Sequence, residues 1–231
     1  ISNNTPVIVV ENSNNKDFKT KVENIFSNVN CILVGENKGY STANNIGLKS
    51  VKTKYALVLN PDTILDKDAI ENFFTTKEQV KDFWLIGPAN NQIVNFNEND
   101  SNVKEVNNLK GFAIFLNLSK FNQDYFDENF FLFFEEIDLC TRVKKNKGKI
   151  YLDKQIYIKH DGASSVNKEN KLDLEKTRNW HWMWSTFYYQ KKYKGFLLAF
   201  IIIFPKLFSA ILKTLFYFII LNKKKKKIYF I

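Results

Sequence analysis

The stretch PVIVVENSNNKDFKTKVENIFSNVNCILVGENKGYSTANNIGLKSVKTKYALVLNPDT, residues 6–63, decides how the chain must fold. It opens with a short β-branched run, residues 7–10, that ends in polar turn residues from Glu11 onward, the pattern of a buried strand running into a loop. Phe18, Val22, Ile25, Phe26 and Val29 then recur at helical spacing. CILVG reads as a second strand, NKGYSTANNIGLKSV as a glycine-bearing loop entering a helix, and YALVLNPDT as a third strand stopped by an Asn-Pro turn. Strands alternating with helices predict an α/β fold, a mostly parallel Rossmann-like sheet with right-handed crossovers and helices on both faces. In such sheets ligands bind beyond the carboxyl ends of the strands. That rule singles out Glu11, Asn12, Asn37, Gly39, Asn60 and Asp62.

Further along, residues 88–108 are rich in asparagine and read as a loop or weak hairpin, with GFAIFLN a strand after it. FFLFFEEID, residues 130–138, sets Glu135, Glu136 and Asp138 directly after an apolar run, where an unpaired carboxylate shifts its pKa or finds a partner. Asp138 and Arg142 are four apart and can pair along one helix face, locking it in place. KIYLDKQIYIKHDGASS reads as a strand pair ending in a His-bearing loop.

The chain has 231 residues, 45% of them hydrophobic, enough to bury a sizeable core in one main domain with an appendage. Its net charge of +10 is concentrated in Lys191, Lys192, Lys194, Lys206, Lys213 and the run Lys223 to Lys227, so the rest is close to neutral. A basic stripe across the domain, the footprint of nucleic-acid binding, is not present in this pattern. Cys31 and Cys140 lie far apart in apolar settings without metal spacing, as reduced core thiols of a cytosolic protein do. The opening residues lack the basic start of a signal peptide.

Five segments in this order, VIVVENSNN, ENKGYSTANNIGL, LNPDT, FDENFFLFFEEIDLCTR and HDGASS, resemble the family-2 glycosyltransferases of GT-A fold, most closely their bacterial rhamnosyltransferase-like branch. The resemblance covers residues 6 to about 190. It implies that Glu11, where the family has an aspartate, holds the base of a dTDP- or UDP-linked sugar with Asn12. Asn37, Gly39 and Asn44 match the nucleotide-lining loop. LNPDT stands where the family carries its Asp-x-Asp motif, with Asn60 in place of one acid. Asp62 and His160 are then the ligands of Mg²⁺ or Mn²⁺, which accept few carboxylates plus substrate phosphates. The same resemblance makes Glu136 the catalytic base of an inverting transfer, with Glu135 beside it at the acceptor, and counts Asp138 and Arg142 among the substrate-binding set.

Two departures qualify the match. Family members begin with a strand and helix ahead of VIVVEN, and here only six residues stand there, so a fragment or mis-started sequence is expected, the alternative being a protein that lost an element and left a sheet edge bare. Residues 1–190 form the glycosyltransferase domain on this reading, and 191–231 a membrane-associating helical tail with a polylysine end. The apolar stretch from Gly195 to Leu221 is broken by Pro205, Lys206 and Lys213, which favours one or two helices lying in the interface over a simple span. Trp180, Trp182, Trp184, Tyr188 and Tyr189 precede it as headgroup-level aromatics, and the terminal lysines attract anionic lipid. The expected protein is an inverting, metal-dependent enzyme at the cytoplasmic face of the plasma membrane, moving a sugar, rhamnose first, to a lipid-linked or cell-surface glycan. A catalytically inactive membrane-associated module that binds nucleotide sugar, or a gene fragment, is the competing expectation.

Overall fold

The computed structural model describes residues 5–89, 101–160 and 171–220, with residues 171–173 described in backbone only. The first strand, β1 (Val7–Glu11), pairs in parallel with β2 (Val29–Leu33), with Val7 opposite Val29 and Glu11 opposite Leu33. Helix α1 (Lys16–Ile25) makes the crossover, and the Asn15 side chain caps it by accepting the Phe18 amide at 2.9 Å. Helix α2 (Gly39–Ser50) follows. A Cβ at Gly47 would stand 2.9 Å from a Val10 methyl, so glycine is what lets α2 lie against β1.

The central sheet joins β3 (Tyr55–Leu59), β5 (Leu85–Pro88), β6 (Val103–Glu105), β7 (Ala113–Asn117) and β8 (Ile150–Asp153) in the order β3-β7-β5-β8-β6. The α/β architecture is the expected one, but the sheet is mixed: β5 and β8 run parallel, while β7 is antiparallel to both β3 and β5. β7 and the edge strand β6 both run opposite to β3, β5 and β8. A separate antiparallel ladder pairs β4 (Thr63–Leu65) with β9 (Ile158–His160). The region after residue 148 is therefore not a strand pair, since β8 and β9 join different sheets and His160 ends a strand instead of sitting in a loop. Most of HDGASS and of the asparagine-rich segment, and the lysine run 223–227, lie outside the described residues.

Alternate residues of β7 feed two cores. Ile114 and Leu116 pack with Leu48 of α2 and with Leu139, Cys140 and Val143 of α4 (Glu135–Lys145). Ala113 and Phe115 pack with Ala69 and Phe73 of α3 (Ala69–Gln79). Helices thus cover both faces, and both free cysteines are buried.

The chain divides into two compact units, one comprising Ile1–Asn129 with Glu135–Gly162, the other Phe130–Phe134 with Ala163–Ile231. In the second, α5 (Lys171–Lys194) packs against α6 (Phe196–Ile219) after a turn at Gly195, whose φ is +86°. α6 is one continuous helix despite Pro205. Phe133 and Phe134 have φ of 71° and 70°, a left-handed conformation that costs bulky residues energy. Trp182 and Tyr189 pack on this pair, and Ser185 Oγ donates to the Leu132 carbonyl at 2.8 Å.

Asn45 anchors α2 in the first unit. It is buried, its amide donates to the Phe126 carbonyl at 2.8 Å and to Glu128 at 2.9 Å, and its oxygen accepts the Phe126 amide at 3.0 Å. Asn45→Ala leaves the Phe126 peptide groups unpaired and is expected to cost about 2–3 kcal/mol in urea unfolding; a loss within experimental error would show that the anchor is not used.

Candidate active site

At the carboxyl ends of β1 and β2, Asn12 ties two loops together. Its amide donates to Asn37 Oδ1 at 3.0 Å and to the Gly39 carbonyl at 3.2 Å, while its own oxygen accepts the Lys38 amide at 3.0 Å. Gly39 takes φ +80°, and its amide donates to Asn37 Oδ1 at 3.0 Å. Glu11 turns back on its own loop, accepting from the amides of Ser13 and Asn15 and from the Ser13 hydroxyl. Asn44 donates to the Tyr40 carbonyl one turn back along α2.

Asp62 and His160 are brought together by the β4–β9 ladder, in which Thr63 faces His160. His160 Nε2 stands 3.2 Å from Asp62 Oδ1, and its ring stacks on Phe112 with centroids 4.9 Å apart. Among the described residues no group of three or more His, Cys, Asp or Glu side chains converges as a metal cage. One oxygen and one nitrogen donor side by side do suit a divalent cation that takes its other ligands from phosphate and water. The backbone N–H of Asn60, at the end of β3, donates to the Phe112 carbonyl at 2.9 Å.

The acid pair opens α4. Glu135 is buried with Oε2 lacking a hydrogen-bond partner, whereas Glu136 is half-buried. Burial, reinforced by the charge of Glu136, pushes Glu135 up to about 8. Burial raises Glu136 too, partly offset by the amides at the start of the helix. Two adjacent buried carboxyls do not both ionise readily, so Glu135 holds its proton up to about 8 and the charge of the pair falls first on the more exposed Glu136. Asp138 is fully buried and accepts from Arg142 Nε at 2.8 Å, and the same guanidinium donates to the Asp124 and Tyr125 carbonyls. Both residues are occupied by protein groups in locking the helix.

Gly111 and Phe112 connect these groups. The Gly111 carbonyl accepts the Tyr40 hydroxyl at 2.7 Å, and a Cβ at Gly111 would lie 3.5 Å from the Glu136 Cβ and 3.7 Å from its Cδ. Phe112 meets Asn60 and His160, as above. Tyr40, Asn45, Gly111, Phe112 and Glu128 all support the site and were not among the sequence candidates. Asn45 had one legible signal: a polar residue on the apolar face of a helix.

A model of the family described as Glycosyl transferase family 2 matches residues 2–139. The low-salt glycan biosynthesis hexosyltransferase Agl10 of Haloferax volcanii is 27% identical over 172 residues, covering 63% of this chain and 55% of that protein, so the chain spans about half the length of this curated relative. Among solved structures, GalNAc-T7 with UDP, GalNAc and Mn²⁺ superposes with TM-score 0.58 at 7% identity, covering 83% of this chain and 46% of the other. Staphylococcus aureus TarS residues 1–349 with UDP-GlcNAc gives 0.52 at 17% identity, covering 78% and 58%. Both superpositions are statements of shared fold.

The state of Glu135 has a consequence for stability. An unfolded glutamate releases its proton near 4.5, and the native one holds it to about 8, so the native state binds the extra proton between those values. Its contribution to stability is fully present below the lower value and lost as pH rises through the upper one. The urea midpoint should therefore fall between about pH 5 and about pH 9, and Glu135→Gln should flatten that fall. An equally steep fall in the variant would place the titrating group elsewhere.

Proposed function

The chain belongs to glycosyl transferase family 2, and on that premise we propose that it transfers a hexosyl group, with inversion, from a nucleotide-diphosphate sugar to an acceptor hydroxyl. The observation that carries this reading is the acid pair at the start of α4, one carboxyl buried with an oxygen that has no hydrogen-bond partner and its neighbour half-exposed. Glu136 takes the proton from the acceptor hydroxyl as that oxygen attacks the anomeric carbon. The bond from that carbon to the diphosphate breaks, and the electron pair leaves with the nucleoside diphosphate. Glu135, as a neutral acid, contacts the acceptor and adds no competing charge. Glu11, Asn12, Asn37, Gly39, Asn44 and Asn60 line the nucleotide side. Asp62 and His160 would hold Mg²⁺ or Mn²⁺, which supplies positive charge to the departing diphosphate.

A uridine or thymidine diphosphate sugar is the donor class. The UDP and UDP-GlcNAc named for the structural neighbours and the hexosyl transfer named for the relative support it. Rhamnose is the first sugar to try, and a lipid-linked or cell-surface glycan is the acceptor class. Residues 1–190 would carry the reaction and the tail would bind the cytoplasmic face of a membrane. α6 is long and apolar enough to cross a membrane, and Phe200, Phe204, Phe208, Ile211, Leu215 and Phe218 are exposed along it. Lys206 lies 5.9 Å from the ring centre of Trp182 in α5. An apolar outer face of that kind suits lipid contact.

A panel of UDP- and dTDP-sugars tests the reading through acceptor-dependent release of nucleoside diphosphate. Glu136→Gln is expected to cut turnover by roughly 10²- to 10⁴-fold with donor affinity nearly unchanged. Donor binding without release would support a binding module instead, and near wild-type turnover in the variant would remove Glu136 from the base role. Flotation with anionic vesicles should require residues 196–231; a shortened chain that still floats would contradict the tail assignment.

A further inference from the structure

We infer that Tyr40 is the positioning residue for Glu136, acting through the Gly111 backbone; this rests on the role proposed above for Glu136. Three observations converge. The Tyr40 hydroxyl donates to the Gly111 carbonyl at 2.7 Å across 71 positions of sequence. Gly111 has no side chain, and a Cβ there would run alongside Glu136 at 3.5, 3.6 and 3.7 Å from its Cβ, Cγ and Cδ, so the bare backbone is the surface on which that side chain rests. Tyr40 itself is held from two sides. It follows Gly39 of the Asn12–Asn37 clip, and its ring meets Phe126 edge-on at 5.7 Å, the residue whose backbone Asn45 holds. The phenol is partly buried beside both carboxyls, and desolvation with their charge pushes its pKa upward, so it remains a neutral donor throughout the working range.

The hydroxyl donates to a carbonyl and touches no reacting atom in this arrangement. Its work is to keep residue 111 from receding under Glu136, and a base displaced by about an ångström can lose up to roughly 10²-fold in rate. The loop that lines the nucleotide and the residue that takes the acceptor proton are thereby joined through one side chain of α2.

The test is a double-mutant cycle with kcat and donor KM measured separately. Tyr40→Phe keeps the ring and removes the bond, and is expected to lower kcat by roughly 10-fold or more with donor KM within about two-fold. In the Glu136→Gln background the same change should alter kcat by less than about two-fold, because the group it positions is already gone. A loss that multiplies fully onto Glu136→Gln would overturn the inference, as would unchanged kcat in Tyr40→Phe. Gly111→Val, whose branched side chain would grow into the space of Glu136, should reproduce the kcat loss without touching Tyr40. If the full chain binds UDP but transfers nothing, the proposed function fails while this inference is read from crystal structures: Glu136 displaced in Tyr40→Phe or Gly111→Val supports it, and Glu136 unmoved in both overturns it.

Discussion

The peptide Gly111–Phe112 is the constraint on which the site depends. Its two carbonyls accept the Tyr40 hydroxyl and the Asn60 amide, its glycine is the bed of Glu136, and its phenylalanine stacks on His160. Residues from α2, β3, α4 and β9 therefore meet at one point just before β7, the strand that enters the central sheet between β3 and β5. A small residue is needed at 111 because Glu136 occupies the space where a larger side chain would grow, and an apolar ring at 112 because Phe112 packs in the core that holds Ala113 and Phe115.

Burying two neighbouring carboxyls at that point is costly, and the protein meets the cost by leaving one of them protonated. Glu135 sits inside with an unpaired oxygen, while Glu136 keeps access to solvent and the first-turn amides. The pair is thus asymmetric before any substrate arrives. Asp138 takes the opposite solution, full burial with a guanidinium partner, and so serves the helix rather than the chemistry.

Local pattern made the alternation of strands and helices in residues 7–59 legible, and with it the strand-end loops that hold Asn12, Asn37 and Asp62. The direction of β7 was not legible, since nothing within AIFLN says whether a strand runs with or against its neighbours. His160 read as a loop residue because β9 is three residues long and pairs only with β4, a partner far away in sequence. Asn44 and Asn45 are indistinguishable as letters, and only the phase of α2 turns Asn45 inward to Phe126 while Asn44 bonds along its own helix. Tyr40 and Gly111 carry no motif of their own, because their meaning is a contact made across 71 positions.

The central claim, that the pair is asymmetric and Glu136 ionises before Glu135, is most directly tested by a ¹³C NMR titration of the glutamate side-chain carboxyls, assigned with single Gln variants. Glu135 is expected to titrate near 8, with Glu136 ionising first at a pH still above the ordinary 4.5. Two ordinary titrations, both near 4.5, would contradict the account.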